Sequence, residues 1–214
     1  MDAELWPIVW LSLRVTGTAL VLSALVGVPL GAWLGLASFR GRRLVAAVVY
    51  TGMGLPPVLV GLLVYLLLSR SGPLYFLDWL FTPRAMILAQ SIIALPVVTG
   101  ITMAAVAAVP AELLLQVRSL GASRRQARRA VLREALPGVL AALAAGFGRI
   151  ISEVGAAQMV GGNIAGHTRV LTTAIVLETG QGQFALALAL GGWLLGLTLV
   201  VNLVVLRSQG RAVP

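Results

Sequence analysis

With 214 residues, 59% of them hydrophobic and only 11% charged, the chain is too apolar for a soluble domain of its size and has the composition of a polytopic membrane protein. All 16 basic residues are arginine and no cysteine occurs, which excludes an ordinary G-x-x-x-x-G-K-[ST] phosphate loop, a disulfide, a thiolate metal site and a cysteine nucleophile. The net charge of +9 does not point to nucleic acid, because the arginines collect in loops on one side of the expected membrane spans.

The chain opens on Met1-Asp-Ala-Glu-Leu-Trp6-Pro7, an acidic start without the positive region of a secretory signal, so no cleavage is expected. Residues 1–14, with Trp6, Trp10 and Arg14, read as an amphipathic segment at the membrane interface. Residues 15–36 form the first expected span, long enough at about 1.5 Å per residue to cross roughly 30 Å of hydrocarbon. Its Gly27, Gly31 and Gly35 make two overlapping G-x-x-x-G units, suited either to close packing within the chain or to a contact between copies. Arg40, Arg42 and Arg43 follow and place this loop in the cytoplasm, hence the amino terminus outside.

The second span, residues 44–68, carries Pro56-Pro57 near its middle, where lost backbone donors force a kink that serves as a hinge or simply as shape. Residues 69–83 hold only Arg70 and Asp78 beside Tyr75 and Trp79, and form an outer loop. The third span, residues 84–109, has a central Pro96, with Gln90 and Thr99 facing other helices.

Residues 115–137, LQVRSLGASRRQARRAVLREALP, are the one long polar interruption, with Arg118, Arg124, Arg125, Arg128, Arg129 and Arg133. Gly121 can end one helix, and Ser123 with Gln126 is a capping box that starts a basic helix over 124–134. Ala127, Ala130 and Val131 give that helix a small apolar face; its arginine face suits either anionic lipid or a protein partner.

The run Arg118-Ser-Leu-Gly-Ala-Ser-Arg124 resembles the cytoplasmic loop of importer-type ABC-transporter permeases, whose signature reads E-A-A-x-x-x-G followed by L-P. Gly121 stands at the family's glycine, Leu115, Gln116 and Val117 replace the E-A-A, and Leu136-Pro137 falls later than usual. The resemblance implies a coupling helix that enters a groove on a separate ATPase, with Arg118, Gly121, Ala122, Ser123, Arg124, Arg125, Arg128 and Arg129 at the contact.

The fourth span begins near Gly138 and runs to Gly162, with Arg149 and Glu153 four residues apart near its middle. An unpaired charge there costs several kcal/mol, so the two either neutralise each other to hold the bundle or line the translocation path. Phe147-Gly-Arg-Ile-Ile-Ser-Glu-Val-Gly-Ala156, Val160-Gly-Gly-Asn-Ile164, the run from Gly166 to Ile175, and Glu178-Thr are very similar to permeases of tungstate importers and more distantly to molybdate and sulfate permeases.

Residues 161–183 are too short in their apolar part to span and read as a non-spanning, partly re-entrant segment at the outer mouth, where Asn163, Thr168 and Arg169 are gate candidates. His167, the only histidine, is expected to be solvated, and no metal site is expected. Residues 184–206 form the fifth span, with a small-residue stripe at Gly192 and Gly196, and Arg207 and Arg211 mark the cytoplasmic tail, residues 207–214.

The reading is therefore an all-α integral membrane protein of about five transmembrane helices, an ABC type-1 importer transmembrane domain over residues 15–206, without catalytic residues of its own. The resemblance implies a homodimer in the cytoplasmic membrane, two copies of an ATPase subunit that bind the ATP and Mg, and an extracytoplasmic binding protein. Its implied cargo is tungstate. Molybdate, sulfate or phosphate import, and an ATP-independent channel or secondary transporter, are the alternatives.

Overall fold

The structure, a computed structural model, describes residues 2–210; Arg211 lies outside them. Among these residues the chain is helical throughout: α1 (Asp2–Leu36), α2 (Arg42–Met53), α3 (Pro57–Leu68), a 3-10 turn (Tyr75–Leu77), α4 (Pro83–Ala107), α5 (Ala111–Ser119), α6 (Arg124–Glu134), α7 (Leu136–Ile151), α8 (Gly155–Gly161), α9 (Leu171–Gly180) and α10 (Phe184–Gly210). Three helices, α1, α4 and α10, are long and apolar enough to cross a membrane alone, and two bent pairs, α2 with α3 and α6 with α7, bring the candidates to five.

The amino-terminal residues are not a separate interfacial element. They are the first turns of α1, since nothing between Arg14 and Gly17 interrupts the helix. Val9 is buried against Leu171, Ala174 and Leu190, and Trp6 meets Trp193 of α10 edge to face at 5.7 Å, so this end of α1 packs on protein.

The prolines of the second expected span break it rather than kink it: α2 and α3 meet at 94°. Helix α2 ends at Met53 with Gly54 as its C-cap; proline disfavours a helical residue before it, so Pro57 holds Pro56 in an extended conformation (φ −62°, ψ 121°) and itself begins α3.

Helix α4 is the hub, packed on α1, α2, α3, α7 and α8. Its closest neighbour is α1, and the glycine stripe is the reason. A Cβ on Gly31 would stand 2.5 Å from the Thr99 carbonyl oxygen, and one on Gly35 would stand 2.8 Å from Val106 Cβ. The G-x-x-x-G units thus serve packing within the chain. Ser23 Oγ donates to the Ser91 carbonyl at 3.0 Å and Ser91 Oγ to the Ala19 carbonyl at 3.4 Å, so two hydroxyls tie the same helix pair.

Candidate functional site

At one end of the bundle the chain leaves the apolar core in two short helices. Helix α5 ends in a Schellman motif: Gly121 is left-handed (φ 87°), its N–H donates to the Arg118 carbonyl at 3.0 Å, and the Ala122 N–H donates to the Val117 carbonyl at 3.3 Å. Ser123 then caps α6. Its Oγ accepts from the Gln126 N–H at 3.3 Å, while Gln126 Oε1 accepts from the Ser123 N–H at 2.8 Å, the reciprocal pair that the sequence spacing predicts.

Helix α6 divides cleanly. Ala127 is buried, and Val131 is buried with Ala135 against Ala32 and Val106 at the ends of α1 and α4, whereas Arg124, Arg125, Arg128, Arg129 and Arg133 are exposed. Arg118 is exposed on α5. None of these arginines has a carboxylate within 4.0 Å, since the one ion pair among the described residues lies elsewhere. Between the two helices stands Leu120, 87% exposed, an apolar tip set among the arginines. Sequence reasoning passed over it; the signal was a leucine immediately before a helix-breaking glycine in an otherwise polar loop.

Arg149 and Glu153 do meet, Arg149 Nη1 lying 3.9 Å from Glu153 Oε2, but the long fourth helix expected around them is absent. Helix α7 stops at Ile151, and Glu153 leads into α8. The physical cause is a pair of bonds made by Glu153: its Oε1 accepts from the Ala156 N–H at 3.0 Å, satisfying a donor at the start of α8, and its carbonyl accepts from Thr172 Oγ1 at 2.9 Å. The Glu153 side chain is 7% exposed and that of Arg149 36%, so the carboxylate is fixed inside while the guanidinium reaches outward from the last turn of α7, where the helix dipole favours a cation.

The three other predicted positions follow in the turn between α8 and α9, and they point different ways. Thr168 is fully buried, its Oγ1 donating to the Gly161 carbonyl at 2.6 Å and accepting from the Ile164 N–H at 2.9 Å, so it is the strut of the turn. Asn163, left-handed at φ 53°, lines a recess of about 370 Å³ beside α9 with Gln158 and Thr173. Arg169 lines a separate cavity of about 470 Å³ against the first turns of α1. The five positions therefore do not form one cluster. Among the described residues no group of three or more His, Cys, Asp or Glu could hold a metal ion.

The profile of the family described as "Binding-protein-dependent transport system inner membrane component" matches residues 27–212. The chain is 45% identical to a "Probable anion ABC transporter permease protein" of Haloferax volcanii, with 94% of this chain and 88% of that one covered. It is 39% identical to the "Tungstate uptake system permease protein TupB" of Peptoclostridium acidaminophilum over 97% of this chain and 91% of that one. It is 30% identical to the "Molybdenum transport system permease protein ModB" of Escherichia coli, covering 83% and 82%. Among solved structures, a chain of the inward-facing MetNI methionine ABC transporter superposes with a TM-score of 0.78 at 20% identity, over 100% of this chain and 98% of that one, a likeness of fold.

Proposed function

The chain belongs to the family of binding-protein-dependent transport system inner membrane components, and from that premise we propose that it is the permease subunit of an ATP-driven importer whose cargo is an oxyanion, tungstate first. The observation that carries the coupling is α6: a helix capped at its start, packed on the ends of α1 and α4 through Val131, and presenting arginines without carboxylate partners, with Leu120 beside them. A rigid, basic, partly apolar projection of this kind suits a groove on a separate ATPase better than a lipid surface. Hydrolysis, with its ATP and Mg, belongs to that partner, because a chain without lysine has no ordinary phosphate loop. The tungstate reading is supported by the 39% identical tungstate permease, whose length this chain nearly covers.

Two copies of the chain form the pore, and an extracytoplasmic binding protein delivers the anion. The arginine-rich loop after α1, the α5–α6 region and the end of α10 face the cytoplasm, which leaves the amino terminus outside. ATP closes the ATPase pair, α6 transmits the motion, and the bundle alternates between inward- and outward-open states. The test is ATP-dependent uptake of tungstate, with molybdate and sulfate as competitors, in vesicles holding this chain with its ATPase and binding protein. Uptake that needs all three components and resists excess sulfate is expected. Transport of a competitor alone refutes the cargo, and uptake without ATP refutes the coupling.

A further inference from the structure

The cavity of about 470 Å³ that Arg169 lines is a cationic basin whose two main walls are far apart in sequence, with Pro83 at the start of α4 also lining it. One wall is the tight turn after α8, where the N–H groups of His167, Thr168 and Arg169 all donate to the Ile164 carbonyl at 2.9–3.1 Å and buried Thr168 braces the base. The other is α1, which presents Trp10 and Arg14 one turn apart. The two walls are held in register by Ser12 Oγ, which accepts from the Leu171 N–H at 2.8 Å, two residues beyond Arg169.

Arg14, His167 and Arg169 line this cavity, and among the described residues no Asp or Glu does. Among the described residues neither arginine has a carboxylate within 4.0 Å, and Arg169 Nε is buried without a hydrogen-bond partner. A buried guanidinium nitrogen left unpaired is costly, and a planar fork of donors matches the oxygens of a tetrahedral anion. From this arrangement we propose that Arg14, His167 and Arg169 form an anion-accepting station at the outer mouth of the permease, which takes the soluble tetrahedral oxyanion after its release from the binding protein. The inference rests on the oxyanion reading above. The cavity is much larger than one such ion, so the anion enters with part of its hydration, and the grip is weak enough for onward movement. Arg169 is the principal donor because its turn is rigid; exposed Arg14 adds charge from the facing helix.

The test uses the assembled permease–ATPase complex without binding protein, in a phosphate-free maltoside and again in lipid nanodiscs, with tungstate and sulfate binding measured by equilibrium dialysis. Wild type binds saturably in both media. Arg169→Gln weakens binding roughly tenfold or more, as expected for loss of a charged hydrogen-bonding group, Arg14→Gln weakens it less, and Arg169→Lys recovers part. Arg70→Gln, which alters an exposed arginine outside the cavity lining, leaves it unchanged. Because Arg14 is exposed on α1, its variant tests the station even if Arg169→Gln folds poorly. Absence of saturable binding, or equal affinity in wild type and both glutamine variants, overturns the proposal. Saturation in maltoside that vanishes in nanodiscs assigns the station to lipid phosphate and also overturns it. The uptake assay run in parallel separates the two readings: uptake of tungstate without oxyanion binding here sinks the station alone, whereas binding here without uptake of any oxyanion sinks the function alone.

Discussion

Substitution of Gly31 by alanine tests the contact on which the bundle is centred. The added methyl would sit 2.5 Å from the Thr99 carbonyl oxygen, 2.9 Å from Thr102 Cβ and 3.1 Å from the Met103 nitrogen, and ordinary contact begins near 3.4 Å. Two of these three atoms belong to the α4 backbone, so no rotamer change relieves the clash; the helices themselves must separate, and the neighbouring contacts at Gly27 and Gly35 open with them. Overpacking of this kind costs about 1–3 kcal/mol, and alanine returns about 0.5–1 kcal/mol through its better helix propensity. The net loss is up to about 2.5 kcal/mol, or a fall in Tm of up to roughly 10 °C for a chain of this size. Gly17→Ala is the internal control: it lies on the same helix with nothing within 4 Å of the added carbon, so only the favourable propensity change applies. Thermal unfolding in detergent can be followed by the fluorescence of the five tryptophans, thiol-reactive dyes being useless in a chain without cysteine. If Gly31→Ala melts at or above the temperature of Gly17→Ala, the close α1–α4 crossing described here is wrong.

Other consequences concern the loop, the turn and the ion pair. Gly121→Ala places a side chain in the left-handed region at a cost of about 1–2 kcal/mol, although its Cβ meets nothing within 4 Å; hydrolysis by the assembled transporter should lose its dependence on the binding protein, and Gly121→Asn should retain more of it. Ser123→Ala removes the α6 cap, worth about 1 kcal/mol, and should weaken the same coupling without changing the amount of ATPase bound. Thr168→Val strips partners from the Gly161 carbonyl and the Ile164 N–H, a loss of about 2–4 kcal/mol seen as a lower Tm, which Thr168→Ser avoids. Glu153→Ala should destabilise more than Glu153→Gln in the same melt, because glutamine keeps an oxygen for the Ala156 N–H while losing only the long contact to Arg149; equal effects would mean that the charge, and not the cap, matters.

What could be read from residues alone was local. The capping box at Ser123 and Gln126, the left-handed Gly121 and the apolar face of Ala127, Ala130 and Val131 all depend on neighbours within one helical turn, so spacing specified them; the structure has the box and the glycine in place and buries Ala127 and Val131, with Ala130 half-buried. The apolar runs and the arginine punctuation, which a bilayer makes close to additive, gave five spans, whereas three helices are long and apolar enough alone and five is the upper count, reached only if each bent pair is one span. By contrast, the proline pair marked a disturbance but not its size, because whether a helix kinks or turns through 94° depends on what the freed segments can pack against.

The break after Ile151 had no sequence signal, since Ser152, Glu153 and Val154 suit a continuing helix and are drawn out of it by Ala156 and by Thr172, nineteen residues on. For the same reason the five candidate positions from Arg149 to Arg169 do not gather: Arg149 and Glu153 pair, Thr168 is buried, Asn163 lines one recess and Arg169 another, facing a helix that begins at the other end of the chain. Composition and short-range pattern were enough to determine a helical membrane protein with a capped basic projection, because a bilayer favours apolar residues and penalises charged ones largely independently of their partners, and the resemblance of its motifs added the permease. Only the tertiary structure decided that the glycine stripe of α1 closes on α4 and that Arg14 shares a cavity with Arg169, because those contacts join residues whose proximity no local energy encodes.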